Sequence, residues 1–184
     1  MRHYILLSVV VALCSPAFGQ APPEIPELFK LMSSGTPAEL QAWLDDGGDP
    51  NTVFQMGPSR TGNALTAMVT IAANGRPGSF QKLKILLTAG ADPNKADLES
   101  GKTPLHRAAV KASEAIVLAL LDAGADPNKR DNRGRTPYDY ALVSGNRYAV
   151  LTLEAKTGFK HPERERLLTE AHNRMMRLKK RRQQ

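Results

Sequence analysis

Two residue types in this chain invite a chemical reading: histidine and a recurring aspartate. Imidazoles serve as general bases or metal ligands. Yet His161 and His172 stand 11 residues apart, which is not the ligand spacing of a zinc site. His106 lies in Thr103-Pro-Leu-His-Arg-Ala-Ala109. Asp49, Asp92 and Asp126 occupy the same place in Asp-Gly-Gly-Asp-Pro-Asn at Asp46–Asn51 and in Ala-Gly-Ala-Asp-Pro-Asn at Ala89–Asn94 and Ala123–Asn128. Recurrence at a fixed period marks a structural turn, not a carboxylate pair. The sole thiol is Cys14. The chain has no G-x-S-x-G and no glycine-rich phosphate loop, and no pattern favours a Ser/His/Asp set drawn from distant positions. The expectation is a protein that is not an enzyme, without catalytic residues, cofactor or metal.

The elements that would carry these residues follow from the repeat. The two identical hexapeptides stand 34 residues apart, and self-similarity at that period is the signature of a solenoid whose units bury their apolar faces only against one another. A composition of 41% hydrophobic but only 5% aromatic residues suits closely packed thin helices. Glu27–Ser33 carries Leu28, Leu31 and Met32 on one helical face. Thr36 caps a second helix with Pro37 at its first position and Leu40, Trp43 and Leu44 at the same spacing, Trp43 being either packed in the N-terminal cap or exposed as an anchor. Further helices are expected from Asn63 to about Ala73, over Lys82–Thr88, from Thr103, over Ile116–Leu121, from Thr136 and over Ala149–Leu153. Gly90 and Gly124 suit left-handed helix ends. Leu105, Ala108, Ala109, Ile116, Val117, Leu120 and Leu121 are the predicted core.

These units resemble ankyrin repeats, whose T-P-L-H-x-A-A opening, two short helices and G-A-D-x-N turn are matched nearly letter for letter from Gly101 to Asn128. The resemblance runs from about Pro26 to Gly158. It implies an all-α solenoid of stacked helical hairpins with projecting turns, in about four units: 27–51, 52–94, 95–128 and 129–158. It also implies a structural His106, its ring bridging backbone groups of neighbouring repeats. Partners of the family are gripped by the turns and the exposed edge of the first helices. Here that edge corresponds to Glu99, Ser100, Lys102, Val110, Lys111, Asn132, Arg133, Arg135, Val143 and Ser144. Lys129, Arg130, Arg133 and Arg135 make the last finger basic and suited to an acidic patch. Two segments break the period, Thr52–Thr61 and Asn74–Ser79. Insertions in a solenoid map to loops and often to a binding face, neutral decoration being the alternative.

Both termini depart from the repeat. Met1-Arg-His3 followed by apolar Tyr4–Leu13 and by Ala17 and Gly19 follows the plan of a signal peptide over 1–19, cut before Gln20. A proline-rich leader, 20–26, comes next. Leu13 is too bulky for a lipid-modified Cys14. Loss of that cysteine on cleavage suits a periplasmic or secreted protein held by packing alone. The net charge of +7 belongs to the tail, 159–184, where 9 basic residues face 3 acidic ones. Pro162 is placed to start a helix with Leu167, Ala171, Met175 and Leu178 on one side. That stripe would cap the stack or, with Lys179–Arg182, lie on anionic lipid or wrap an acidic protein. No nucleic-acid partner is expected, because interleaved aromatics are missing. The resemblance implies a monomeric protein-binding module: an immunity-type inhibitor of a toxic enzyme, or an envelope accessory factor for an enzyme of oxidative defence.

Overall fold

The computed structural model describes residues 27–57 and 60–183. The segments expected to be a signal peptide and a leader, 1–26, lie outside them, as do Pro58 and Ser59 of the first insertion. The chain forms α1 (Glu27–Ser33), α2 (Pro37–Asp45), β1 (Val53–Gly57), β2 (Arg60–Asn63), α3 (Ala64–Ala73), α4 (Ser79–Thr88), α5 (Pro104–Lys111), α6 (Glu114–Asp122), α7 (Pro137–Ser144), α8 (Arg147–Thr157) and α9 (Arg164–Arg182). Helices α1, α3, α5 and α7 pack side by side in one row, α2, α4, α6 and α8 form the second, and α9 closes the first row against α7.

Local sequence accounts for most helix starts. Thr36 accepts the Glu39 amide at 3.2 Å while Glu39 accepts the Thr36 amide at 2.7 Å, a reciprocal cap that satisfies two otherwise orphaned donors. Thr136 and Asp139 repeat it at α7. Each second helix of the two identical repeats ends on a left-handed glycine, Gly90 at φ +89° and Gly124 at φ +90°, a conformation that residues with a Cβ rarely adopt. Buried alanines, Ala64, Ala108, Ala109, Ala141 and Ala149, let the two rows approach. Leu105, Ala108, Ala109, Ile116, Val117 and Leu120 are buried, while Leu121 only packs at the margin of the core.

Three features differ from the sequence-based expectation. The first insertion is an antiparallel hairpin, β1 against β2, with Val53 opposite Asn63, so the helical solenoid carries a small sheet. Phe54 anchors it, buried and edge-on to Phe29 of α1 at 5.5 Å. Helix α4 begins at Ser79, three residues early, and α8 runs on to Thr157. The tail stripe is only half engaged: of Leu167, Ala171, Met175 and Leu178, Ala171 is buried, Leu167 is half-buried and the last two are exposed, while Leu168, outside the predicted stripe, is buried as well.

The N-terminal end is closed by charge rather than by repeat grammar. Lys82 is buried, and its ammonium donates to the carbonyls of Leu31 (3.1 Å), Met32 (2.6 Å) and Gly35 (2.9 Å). Arg76, from the second insertion, donates to Ser33 O at 2.9 Å. Together they satisfy the carbonyls at the end of α1, where the helix dipole favours a cation. Burial and the charge of Arg76 pull the Lys82 ammonium below the usual lysine range, with Glu39 opposing. Trp43 lies on Gly48, where a Cβ would stand 2.3 Å from the indole. The later repeats place buried Ala91 and Ala125 at that position, so the glycine makes room for the ring.

Lys82→Ala leaves three carbonyls without their donor and is expected to lower stability by about 2–3 kcal/mol in urea denaturation. Amide exchange should rise first in α1 and α2. An unchanged urea midpoint would show that the clamp carries no weight.

Candidate partner-binding surface

The projecting turns are built from one unit used three times. Asp49, Asp92 and Asp126 each accept the amide two residues on, from Asn51, Asn94 and Asn128, at 2.8 Å. All three carboxylates are therefore engaged in turn formation. The asparagines bind the turns to each other. Asn51 donates to Gly90 O (3.0 Å) and accepts from the Asp92 amide (2.7 Å); Asn94 does the same to Gly124 O (2.8 Å) and Asp126 (2.7 Å). A side-chain amide carries one donor and one acceptor group, so a single residue satisfies both backbone groups of the following repeat.

His106 is fully buried between repeats. Its Nδ1 accepts the Thr103 amide at 3.1 Å and lies 2.8 Å from the Thr103 hydroxyl, and its Nε2 lies 3.0 Å from Arg135 O. The first contact requires a bare Nδ1, which puts the proton on Nε2, where it donates to Arg135 O. The ring packs edge-on to Tyr140 at 5.7 Å. Burial holds its pKa below the usual histidine value against the opposing Arg135 hydrogen bond and Asp131; the cations Lys102 and Arg135 also lower it. A neutral imidazole sealed between two backbone segments has no access to substrate. Its role is structural, as the resemblance implies.

Beyond these turns stand two longer fingers, 97–102 and 131–135. Asp97 N donates to Lys102 O and Asp131 N to Arg135 O, both at 2.9 Å, and the Asn132 amide joins the fingers through Ser100 O at 3.1 Å. Asn132 Nδ2 adds a bond to Glu99 O at 3.1 Å. Each finger holds a buried carboxylate engaged in internal bonds. Asp97 takes Arg107 at 2.7 Å and Ser100 at 3.1 Å. Asp131 accepts the amides of Arg133 and Arg135 at 2.9 Å each, the Tyr140 hydroxyl at 2.6 Å and the Arg135 guanidinium at 3.5 Å. Burial pushes the Asp131 carboxyl up, but those hydrogen bonds and the Arg135 charge outweigh it and hold the group well below the carboxylate range. The same pair, burial and Asp131, raises the Tyr140 phenol.

The surplus on this face is positive. Lys102 Nζ stands 4.8 Å from the centroid of the Tyr140 ring and Arg135 Cζ 4.4 Å from it, so the ring fixes two cations by cation–π attraction. Burial and the charges of Arg107, Arg135 and Arg133 lower the Lys102 pKa, with Asp131 acting against them. A cation crowded by other cations gains most from an incoming anion.

The residues expected to touch a partner divide into two groups. Glu99, Val110, Lys111, Asn132, Arg133 and Val143 are exposed, and Ser100, Lys102, Arg135 and Ser144 are half-buried. Arg135 is committed to Asp131 and the Tyr140 hydroxyl, and Ser144 donates to Ala109 O and Ala141 O at 3.4 and 3.2 Å. Those two hold the surface up. Lys111 reaches Asn74 of the second insertion at 2.9 Å. Val110 of α5 and Val143 of α7 give adjacent helices an apolar strip. Leu98, 78% exposed at the tip of the first finger, escaped sequence reasoning because it lies outside the repeat pattern; an isolated leucine in a turn was its only signal. Among the described residues no group of His, Cys, Asp and Glu is arranged to hold a metal, and no helix is long and apolar enough to cross a membrane.

The model of the family described as ankyrin repeats (three copies) matches residues 33–131 and 69–161. Among curated proteins, the chain is 32% identical to cyclin-dependent kinase 4 inhibitor B of Homo sapiens over 124 residues, 67% of this chain and 82% of that protein. The Bos taurus protein of the same name is 30% identical over 132 residues, 72% of this chain and 92% of that one. Potassium channel SKOR of Arabidopsis thaliana is 42% identical over 92 residues, half of this chain but 11% of the channel. The chain thus spans about a tenth of the channel's length.

His106 is neutral in the fold and protonates more readily once unfolded, because its folded pKa is depressed. Its contribution is therefore complete above about pH 6.5 and falls away as the pH drops below that value. Urea midpoints between pH 8 and pH 5 should decline on the acid side. His106→Gln should lose about 2 kcal/mol at pH 8 but show a flatter acid slope. A variant as steep as the parent would exclude His106 as the source.

Proposed function

This chain belongs to the ankyrin-repeat family, and we propose that it is a protein-binding module that inhibits the enzyme it covers. The protein-binding part follows from the family and its relatives. Supporting the inhibitory part, the relatives that align over 82% and 92% of their own length carry the name of inhibitors. The observation that carries the reading is the finger surface, in which two carboxylates are spent on internal bonds while Lys102 and Arg133 remain turned to an incoming partner.

The partner face that fits has an acidic patch opposite Lys102 and Arg133 and an apolar contact opposite Val110, Val143 and Leu98. Lys102, held on the Tyr140 ring, and exposed Arg133 beside exposed aliphatics combine charge complementarity with desolvated contact. The sequence of residues 1–19 supports action after export, in the periplasm or outside the cell, against a toxic enzyme delivered there. An envelope enzyme supported by the stack is the other occupant of the same face.

Lys102→Glu/Arg133→Glu tests this, leaving Arg135 in place because Asp131 and Tyr140 depend on it. The parent should capture one stoichiometric protein from a periplasmic extract, and the variant, with an unchanged melting temperature, should bind it at least about tenfold more weakly. Equal capture by both forms would remove the basic fingers from the interface. Unchanged turnover of a captured enzyme would overturn the inhibitory reading.

A further inference from the structure

Helix α9 is seated over only part of its length. Arg164 fixes its start, pairing with buried Glu154 at 2.7 Å and with Glu165 at 2.6 Å, while the Tyr138 hydroxyl donates to the other Glu154 oxygen at 2.7 Å. Leu168 and Ala171 are buried. The Ala171 Cβ would lie only 3.1 Å from a Cβ on Gly145, so α9 touches the end of α7 closely. Every described residue after Ala171, from His172 to Gln183, is exposed. That is about 15 Å of helix beyond the last seated turn.

This exposed half carries Arg174, Arg177, Lys179, Lys180, Arg181 and Arg182, and no acidic residue follows Glu170. The helix dipole offsets charge only within the last turn, which leaves Arg174 and Arg177 unaccounted for. Positions on a helix advance by about 100°. The side that seats Leu168 and Ala171 on the stack therefore continues past it as Met175, 41% exposed, and Leu178, 53% exposed. Arg174 and Lys179 flank that strip.

We propose that the free half of α9 lies on an anionic lipid surface, with Met175 and Leu178 entering the boundary between headgroups and acyl chains. Clusters of four to eight Lys/Arg on such a helix are attracted to anionic headgroups, roughly additively. Arg174 and Lys179 extend their stems along the strip and place their charges at the phosphates. The distribution of the other cations selects a lipid plane over an acidic protein patch. A helix is about 10–12 Å wide and the Debye length is about 8–10 Å, so a charged plane acts on all six cations, including Arg177 and Lys180 on the far side. A local patch acts only on those facing it. The contact uses none of the finger residues.

The test is co-sedimentation of the full chain with phosphatidylcholine vesicles, with and without about 30% phosphatidylglycerol, neutral vesicles giving the baseline for residues 1–26. Two variants alter only exposed positions: Arg174→Gln/Arg177→Gln/Lys180→Gln/Arg181→Gln, and Met175→Ser/Leu178→Ser. The parent should bind only the anionic vesicles above baseline and release at high salt. The first variant should bind at least about a hundredfold more weakly and the second about tenfold more weakly, both melting with the parent. Equal binding to neutral vesicles, or binding unchanged in the charge variant, would overturn the proposal. So would binding unchanged in Met175→Ser/Leu178→Ser, since a nucleic acid or an acidic protein meets the charges without using that strip. Lys102 and Arg133 are untouched, so failure here leaves the partner-binding reading standing.

Discussion

Each helical hairpin of this chain leaves backbone groups at its boundary that its own residues do not satisfy, and side chains from the neighbouring repeat satisfy them. Asn51 and Asn94 do this at the short turns, Asn132 at the fingers, His106 beneath the fingers and Asn146 at the opposite edge, through Ala112 O at 3.0 Å. A repeat that buries its apolar face only against its neighbours needs such cross-boundary bonds to fix the register of the stack. Because the geometry recurs, the residue type recurs, and the hexapeptide repeat is the visible trace of that constraint.

Where the period fails, charge replaces repetition. At the first end, Lys82 and Arg76 of the following unit hold the carbonyls at the end of α1 with charged donors, where Asn146 holds Ala112 O with a neutral one, and the β hairpin packs Phe54 on Phe29. At the last end, Glu154 sits where the second helix of a repeat would yield to a glycine turn. Its buried carboxylate ties Tyr138 to Arg164 and so brings α9 across the stack. Both devices place a buried charge only where several partners meet it, the condition under which burial is tolerated. The fingers follow the same rule, and consuming Asp97 and Asp131 internally is what leaves their outer surface positive.

The repeat elements were legible in the sequence because their signals are local: Thr36 with Glu39, Pro104 and Pro137 at first helical positions, and glycines at helix ends. The gathering of Lys102 and Arg135 on the Tyr140 ring was not, since each residue reads alone as a polar surface group. Lys82 gave no sign of burial either. It stands among apolar positions as an ordinary polar residue, and the carbonyls it binds lie about 50 residues earlier in the chain. The first insertion, with Gly57, reads as a loop, and only the contact of Phe54 with a distant helix makes it a hairpin. In the tail the apolar stripe was visible, but how far the stack extends beneath it depends on where α7 ends. Residue types suggested a partner face, while the bonds of Arg135 to Asp131 and Tyr140 and of Ser144 to Ala109 O and Ala141 O turn those two residues to supporting it.

If the fingers and the first row of helices meet the partner as proposed, hydrogen–deuterium exchange of the chain, free and bound to its captured partner, will show added protection in 97–111 and 131–144, with α4, α6 and α8 unchanged. Protection confined to α4, α6 and α8, with the fingers exchanging as in the free protein, would contradict it.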